Sequence, residues 1–351
     1  MISKVYRLVA PKQIIVDYAD HSLVVDSGES DVLVRPRMMS ICAADQRYFQ
    51  GQRPPEQLRK KLPMALIHEC CGEVAYDPAG EFSSGQKVLL VPNTPRRGDY
   101  QSPAATPETI RENYRESAKF RASGFDGFMQ EYVAMRRDCL IPYSGVGDSL
   151  AAMTELISVA MHAVHTFMAR ANENRERVAV FGDGNLGYIV ALLLRELLPG
   201  CELHIFGIDA EKLSYFSFAH THIVGTDFGG LRVDHAFECV GGAASGQVIN
   251  SIIDDLIMPE GVVMLMGVSE TPVPIDTRMA LERGLTLIGR SRSTAKDFVR
   301  TRDLLERSPH LRDKLRMIIR EVIPVRTTAD MCRAFEKDFA SPFKTVMEWH
   351  G

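Results

Sequence analysis

Of 351 residues, 45% are apolar and 25% charged, the balance of a globular chain able to build full cores, and the length suggests about two domains. A net charge of −4 gives no ground for nucleic acid or an anionic membrane as partner, and no apolar run has the length of a membrane span or a signal peptide. Seven cysteines, an odd number at irregular spacing, do not read as a disulfide framework and point to a reducing, cytoplasmic compartment.

Residues 1 to about 150 read as short strands broken by turn residues. Asp31–Arg37, Gly72–Tyr76, Lys87–Pro92 and Phe128–Val133 are β-rich or alternating runs bounded by Gly, Pro, Asp or Ser. Pro95–Ser123 is polar and rich in breakers, so it reads as a long surface excursion. From Ser149 the spacing turns helical, through Leu150, Met153, Leu156, Ile157, Ala160, Met161 and Val164. Strand-like runs follow at Glu202–Phe206, His222–Val224, His235–Val240, Val262–Met266 and Leu285–Ile288, with candidate helices at 210–218, 244–257 and 277–283. Such alternation predicts βαβ units in a parallel, doubly wound sheet. Past Ser293 come a helix (Lys296–Arg307), a strand (Glu321–Val325), a helix (Thr328–Phe339) and a strand (Lys344–Trp349). This tail is expected to return to the first domain, giving one domain of 1–150 completed by 294–351 and a second of 151–293.

The most informative stretch is the apolar run Val178–Phe181 followed by Gly182, Gly184 and Gly187 and then by an apolar helical segment. A bare G-x-G-x-x-G is weak evidence, but between a strand and a helix it is a dinucleotide fingerprint. The first glycine allows the tight turn, the second lets backbone approach a pyrophosphate, and the third lets helix and strand pack closely. Asn185, Leu186 and Gly187 open the helix, whose first N–H groups face the phosphates.

Cys42, His68, Glu69 and Glu155 offer a thiolate, an imidazole and two carboxylates, the mixture expected of a catalytic zinc site with an exchangeable position. Their spacing alone leaves open that the cysteine and histidine are packed core residues and that Glu155 answers a helix dipole. Cys70 and Cys71 read as packing residues.

At these residues the chain resembles a known family. Cys42 in C-A-A-D, the His68–Glu69 pair, Glu155 in T-E-L-I-S-V, the Gly182–Gly187 turn, F-E-C-V-G-G and M-G-V-S-E together resemble the zinc-dependent medium-chain dehydrogenases of the polyol branch. M-S-I-C-A-A-D-Q-R-Y, L-P-M-A-L-I-H-E, V-P-N-T-P, G-D-G-N-L-G-Y-I and L-T-L-I-G-R-S-R-S are similar to the ribulose-5-phosphate reductases within it. The resemblance implies a GroES-like, mostly β catalytic domain plus a Rossmann domain, together an α/β fold. It implies zinc held by Cys42, His68, Glu69 and Glu155, and a dinucleotide on Gly182, Gly184, Asn185, Leu186, Gly187, Gly207, Lys212, Cys239, Val240, Gly267, Val268 and Arg292. It also implies reduction of D-ribulose 5-phosphate to D-ribitol 5-phosphate, a cytidylyltransferase acting next to make CDP-ribitol for teichoic acid or capsule, and a homodimer or homotetramer. Val262–Val268 is the stretch suited to a contact between copies. An unphosphorylated polyol or secondary alcohol as substrate, or a non-catalytic nucleotide-binding role, are the competing readings.

Departures from the wider family carry expectations of their own. No cysteine lies between Cys71 and Cys139, where many relatives place a four-cysteine lobe, so one catalytic zinc and no structural zinc is expected. Ala44 stands where many relatives carry a relay hydroxyl, which leaves ordered water, Glu155 or Tyr48 to deliver the proton. Registered on the family pattern, Gly207 takes the place of the acid that reads a ribose 2′-hydroxyl. That favours NADP(H), with Lys212 near the 2′-phosphate; a shift in register would make Asp209 the acid and favour NAD. Arg47 and Tyr48, beside Cys42, are the candidate substrate-binding residues. Arg53, Arg59, Lys60 and Lys61 form a basic loop behind them, and an arginine fork suits a phosphate ester.

Overall fold

A computed structural model describes the chain apart from residues 23–30, 95–111, 115–117 and 226–227. It divides into two compact units, Met1–Ser158 with Arg292–Gly351, and Val159–Ser291.

The first unit opens with a hairpin that sequence patterning did not reveal, β1 (Ile2–Ala10) against β2 (Gln13–Asp20). Then come β3 (Asp31–Ser40), β4 (Met64–Ala65), β5 (Glu69–Tyr76), β6 (Lys87–Leu90), β7 (Asn93–Thr94), β8 (Lys119–Phe120), β9 (Val133–Arg136) and β10 (Leu140–Pro142). β3 is the axis of the larger sheet and pairs antiparallel with β5, Ser40 lying opposite Glu69. Pro36 cannot donate to this ladder, and the register shifts beside it, where the partner is Gly72. A Cβ on Gly72 would lie 2.5 Å from the Arg35 carbonyl oxygen, so the close approach requires glycine.

The second unit carries six parallel strands: β11 (Arg177–Phe181), β12 (Glu202–Gly207), β13 (His220–Ile223), β14 (His235–Glu238), β15 (Val262–Leu265) and β16 (Thr286–Gly289). Their spatial order is β13-β12-β11-β14-β15-β16, the doubly wound Rossmann order. Ala179, Phe181, Phe206, Ala236, Val248, Ile252 and Leu256 form a buried core on one face. After it the chain re-enters the first unit as β17 (Ile319–Val325) and β18 (Lys344–Trp349). β18 lies antiparallel to β3 with Val346 opposite Ser40. The end of β3 and the starts of β5 and β18 therefore meet at one place, and the candidate site is built there.

Several local expectations change. Phe128–Val133 is not a strand: Phe128 and Met129 are buried in a turn held to Ile67 and Leu66, and pairing with β3 begins at Val133. The basic loop is largely a helix, Pro55–Lys61, with Pro at its start, Glu56 in its first turn and Arg59, Lys60 and Lys61 in its last, an order that suits the helix dipole. Of 210–218 only Ala210–Leu213 is helical, because Phe216 and Phe218 turn back to pack their rings on Tyr188, 5.1 and 6.0 Å between centroids. The 244–257 helix is α-helical over Ser245–Ser251 and widens to a π-turn over Ile252–Leu256. A further helix, Pro309–Arg316, precedes β17. Much of the expected 95–123 excursion lies outside the described residues. Among those described, no helix is long and apolar enough to cross a membrane.

Candidate active site

Cys42 is the residue before the short helix Ala43–Phe49, reached directly from the end of β3, and His68 and Glu69 stand at the start of β5. Their Sγ, imidazole nitrogen and carboxylate oxygen all lie within 4.8 Å of one another. Glu155, on the helix Thr154–Arg170, is 5% exposed and feels the charges of His68 and Glu69. Burial, with Glu69 adding and His68 opposing, pushes Glu155 up to about 7. Of the four residues that sequence spacing left ambiguous, Cys42, His68 and Glu69 thus come together, and Glu155 is buried in the same unit within reach of the charges of His68 and Glu69.

Two residues that sequence reasoning left without a role hold this cluster. Asp45, in the first turn of the Ala43 helix, accepts from the Ile67 N–H at 3.0 Å and places its other oxygen 3.3 Å from His68 Nδ1. A carboxylate behind an imidazole is the arrangement that orients a histidine ligand. Burial pulls the His68 imidazole down, but Asp45 and Cys42 together outweigh it and hold it well above its ordinary value. Ile67 itself has φ of 70°, a costly conformation for a β-branched residue that recurs at functional sites. Lys344, at the start of β18, donates to Glu69 Oε1 and Oε2 at 2.7 and 2.8 Å and to the Ile41 carbonyl at 2.7 Å. Only its place beside β3, set by long-range pairing, gives it that role.

Arg47 and Tyr48 lie on the same helix as Asp45. Tyr48 is 2% exposed, its hydroxyl has no hydrogen-bond partner among the described residues, and the Arg53 guanidinium stands 4.8 Å from its ring centroid. Lys61 also faces the ring and donates to Ser123 Oγ. Arg292 belongs to the first unit, not to the unit of the glycine turn. Its guanidinium lies 5.7 Å from the Phe120 ring centroid, and that ring lies 5.2 Å from the His68 ring.

In the second unit the glycine turn joins β11 to the helix Asn185–Leu197. Gly182 has φ of 123°, and a Cβ on Gly187 would lie 1.9 Å from the Gly182 carbonyl oxygen, so no other residue fits either place. A groove of about 950 Å³ runs past Gly182, Gly184, Gly207, Cys239 and Val240. Glu238, 1% exposed, ties its rim together: it accepts from the N–H groups of Val240 and Gly241 through Oε1 and of Gly267 through Oε2. Gly267 and Val268 follow β15, and the Val268 carbonyl accepts from the Gly242 N–H at 2.9 Å.

Gly207 is the last residue of β12, and the Asp183 carboxylate stands over it, accepting from Ile208 and Asp209 N–H at 2.7 and 2.8 Å. Asp209 caps its own short helix, accepting from Glu211 and Lys212 N–H. Both carboxylates near the end of β12 are therefore engaged by backbone. Lys212 is half-buried and does not line the groove, whereas Arg232 does.

Residues 28–145 match the model of the alcohol dehydrogenase GroES-like domain. The chain is 46% identical to ribulose-5-phosphate reductase 1 of Staphylococcus aureus and 47% identical to the ribulose-5-phosphate reductase of Bacillus spizizenii, in each case over 99% of both chains. The crystal structure of S. aureus TarJ in complex with NADPH matches over the full length of both chains with a TM-score of 0.85 at 42% identity. The chain belongs to the ribulose-5-phosphate reductases of the medium-chain alcohol dehydrogenase family.

Proposed function

We propose that this chain reduces D-ribulose 5-phosphate to D-ribitol 5-phosphate with NADPH, using one zinc ion and no structural zinc. The observation that carries the reading is the convergence of half-buried Cys42 with buried His68 and Glu69 in a chain with full-length identity of 46–47% to named reductases. A thiolate, an imidazole and a carboxylate with donor atoms within 4.8 Å suit a borderline-soft ion that keeps one position open, so the residues present fit the metal. Cys42, His68 and Glu69 would hold it, with Glu155 as fourth ligand or as holder of a water. When bound, the ion supplies Lewis acidity toward a carbonyl oxygen and the dinucleotide supplies the hydride.

The chain's own residues do the rest. Gly182 and Gly187 shape the turn, and the first N–H groups of the helix Asn185–Leu197 would hold the pyrophosphate. Gly207 puts no carboxylate at the end of β12 to claim a ribose 2′-hydroxyl, and Asp209 caps its own helix, which supports NADP(H) over NAD. Arg47, with its planar fork, orients the substrate phosphate, and Arg292 lies one ring away from His68 to meet substrate or cofactor. Tyr48 Oη, buried and without a partner among the described residues, is the group we assign to hand a proton to the C2 oxygen as it becomes a hydroxyl, in place of the hydroxyl that Ala44 lacks, and solvent would then reprotonate the phenolate. The product would pass to a ribitol-5-phosphate cytidylyltransferase for CDP-ribitol, and so to teichoic acid or capsule. We place the enzyme in the cytoplasm as a homo-oligomer; the seven free cysteines suit a reducing compartment.

The test is a matrix of D-ribulose 5-phosphate and D-ribulose against NADPH and NADH. Turnover should be confined to the phosphate ester and be fastest with NADPH, and Arg47→Ala should raise KM for the ester alone. Equal turnover of free ribulose would replace this reading with a dehydrogenase of unphosphorylated polyols.

A further inference from the structure

A group of nitrogen and oxygen donors sits at the edge of the six-stranded sheet. β13 is its edge strand. Glu202 and His204 lie two residues apart on β12, His220 and His222 two apart on β13, and the register sets His204 opposite His220 and Phe206 opposite His222. Side chains two apart on a strand share a face, so all of these project to one side.

Glu202 Oε1 is 3.4 Å from Nε2 of His204 and 3.4 Å from Nε2 of His220. That is long for a hydrogen bond. It is the separation of two donors that each stand about 2.1 Å from a tetrahedral ion, roughly 3.4 Å. His204 is 5% exposed, and its Nε2 has no hydrogen-bond partner among the described residues. Its other nitrogen, Nδ1, lies 3.1 Å from His222 Nε2, and the His222 ring is stacked on Phe206 at 4.6 Å and 17°. With Nδ1–H donating to His222, the buried Nε2 keeps its lone pair and faces Glu202. A histidine ligand is ordinarily held in this way by a partner on its far nitrogen. The set is more open than the Cys42 centre: the His204 and His220 rings are 5.3 Å apart between centroids. The His220 side chain is 65% exposed, so it can turn inward on an ion at little cost.

We propose that Glu202, His204 and His220 form a second divalent-cation site, with His222 fixing the tautomer of His204 and solvent completing the shell. Two imidazoles and one carboxylate select a transition ion such as Zn²⁺ over Ca²⁺ or Mg²⁺. An ion bound here joins the edge strand β13 to β12, and by linkage it raises the Tm of the folded chain.

Equilibrium dialysis of the purified full chain against Zn²⁺ tests the site, with bound metal counted by elemental analysis. Wild type should take up a second, weaker equivalent beyond the one at the Cys42 centre. His220→Ala and Glu202→Gln, both at exposed side chains, should weaken that second equivalent by about tenfold or more. Turnover and the first equivalent should be unchanged, and Ca²⁺ should not compete. If wild type takes up one equivalent only, or if His220→Ala binds the second as tightly as wild type, the proposal fails.

Discussion

Lys344 donates to both carboxylate oxygens of Glu69, at 2.7 and 2.8 Å, across 275 positions of sequence. The side chains are 3% and 0% exposed, so neither charge is solvated except by the other and by the Ile41 carbonyl. Burial lowers the Lys344 ammonium, but Glu69 and Cys42 outweigh it and hold it above its ordinary value. Removing one partner of such a pair costs about 3–5 kcal/mol because the other is left buried and alone. Lys344→Met is therefore expected to lower unfolding free energy by about that amount. Adding Glu69→Gln to it should recover a large part of the loss. Chemical denaturation of the single and double variants checks this, and a Lys344→Met loss below about 1 kcal/mol, the scale of an exposed pair, would remove the pair from the account of the site.

Asp45 acts through His68 rather than on substrate. It is 1% exposed, and its two oxygens reach the Ile67 N–H and His68 Nδ1. Asp45→Asn keeps the shape and removes the charge. It should weaken metal retention by about 10–100-fold, the usual effect of altering the group behind a histidine ligand, with little change in NADPH affinity. Competition with a chelator gives the first quantity and fluorescence titration the second. Unchanged metal retention would show that Asp45 serves only the Ile67 turn.

These two residues show where reading the chain succeeds and where it stops. The glycine turn could be recognised because a local rule, strand then G-x-G-x-x-G then helix, demands particular residues. Cys42, His68 and Glu69 could be proposed because few donor types serve a catalytic ion. Lys344 could not, since its role exists only through the register of β18 on β3. Glu238 was in plain view in F-E-C-V-G-G, yet its three backbone partners lie on two loops, one of them after the next strand. The helices Ala43–Phe49 and Pro55–Lys61 have 7 residues each, too few for a 3.6-residue period to show. The first of them holds its place by long-range contact, with Phe49 stacked on Phe335 at 4.5 Å.

His235 gives the second unit a pH-dependent stability of predictable sign. It is fully buried at the start of β14, and its Nδ1 accepts from the Val262 N–H at 3.0 Å, which requires the neutral imidazole. Burial, opposed by Asp234 and the Asn174 backbone, pulls its pKa from 6.5 to about 4. Between those two values the unfolded chain binds this proton and the folded chain does not. The contribution is therefore complete above the unfolded value of 6.5 and is lost as pH falls toward about 4, with a slope of at most about 1.4 kcal/mol per pH unit for one proton. His235→Gln keeps an acceptor in reach of β15 but cannot take up the proton. Its stability should fall less steeply with acid than that of wild type over this window, by up to one proton's worth of slope. Denaturation curves for both proteins at a series of pH values measure the difference. Parallel slopes would mean that His235 titrates alike in the folded and unfolded chain and that the Val262 hydrogen bond does not hold it neutral.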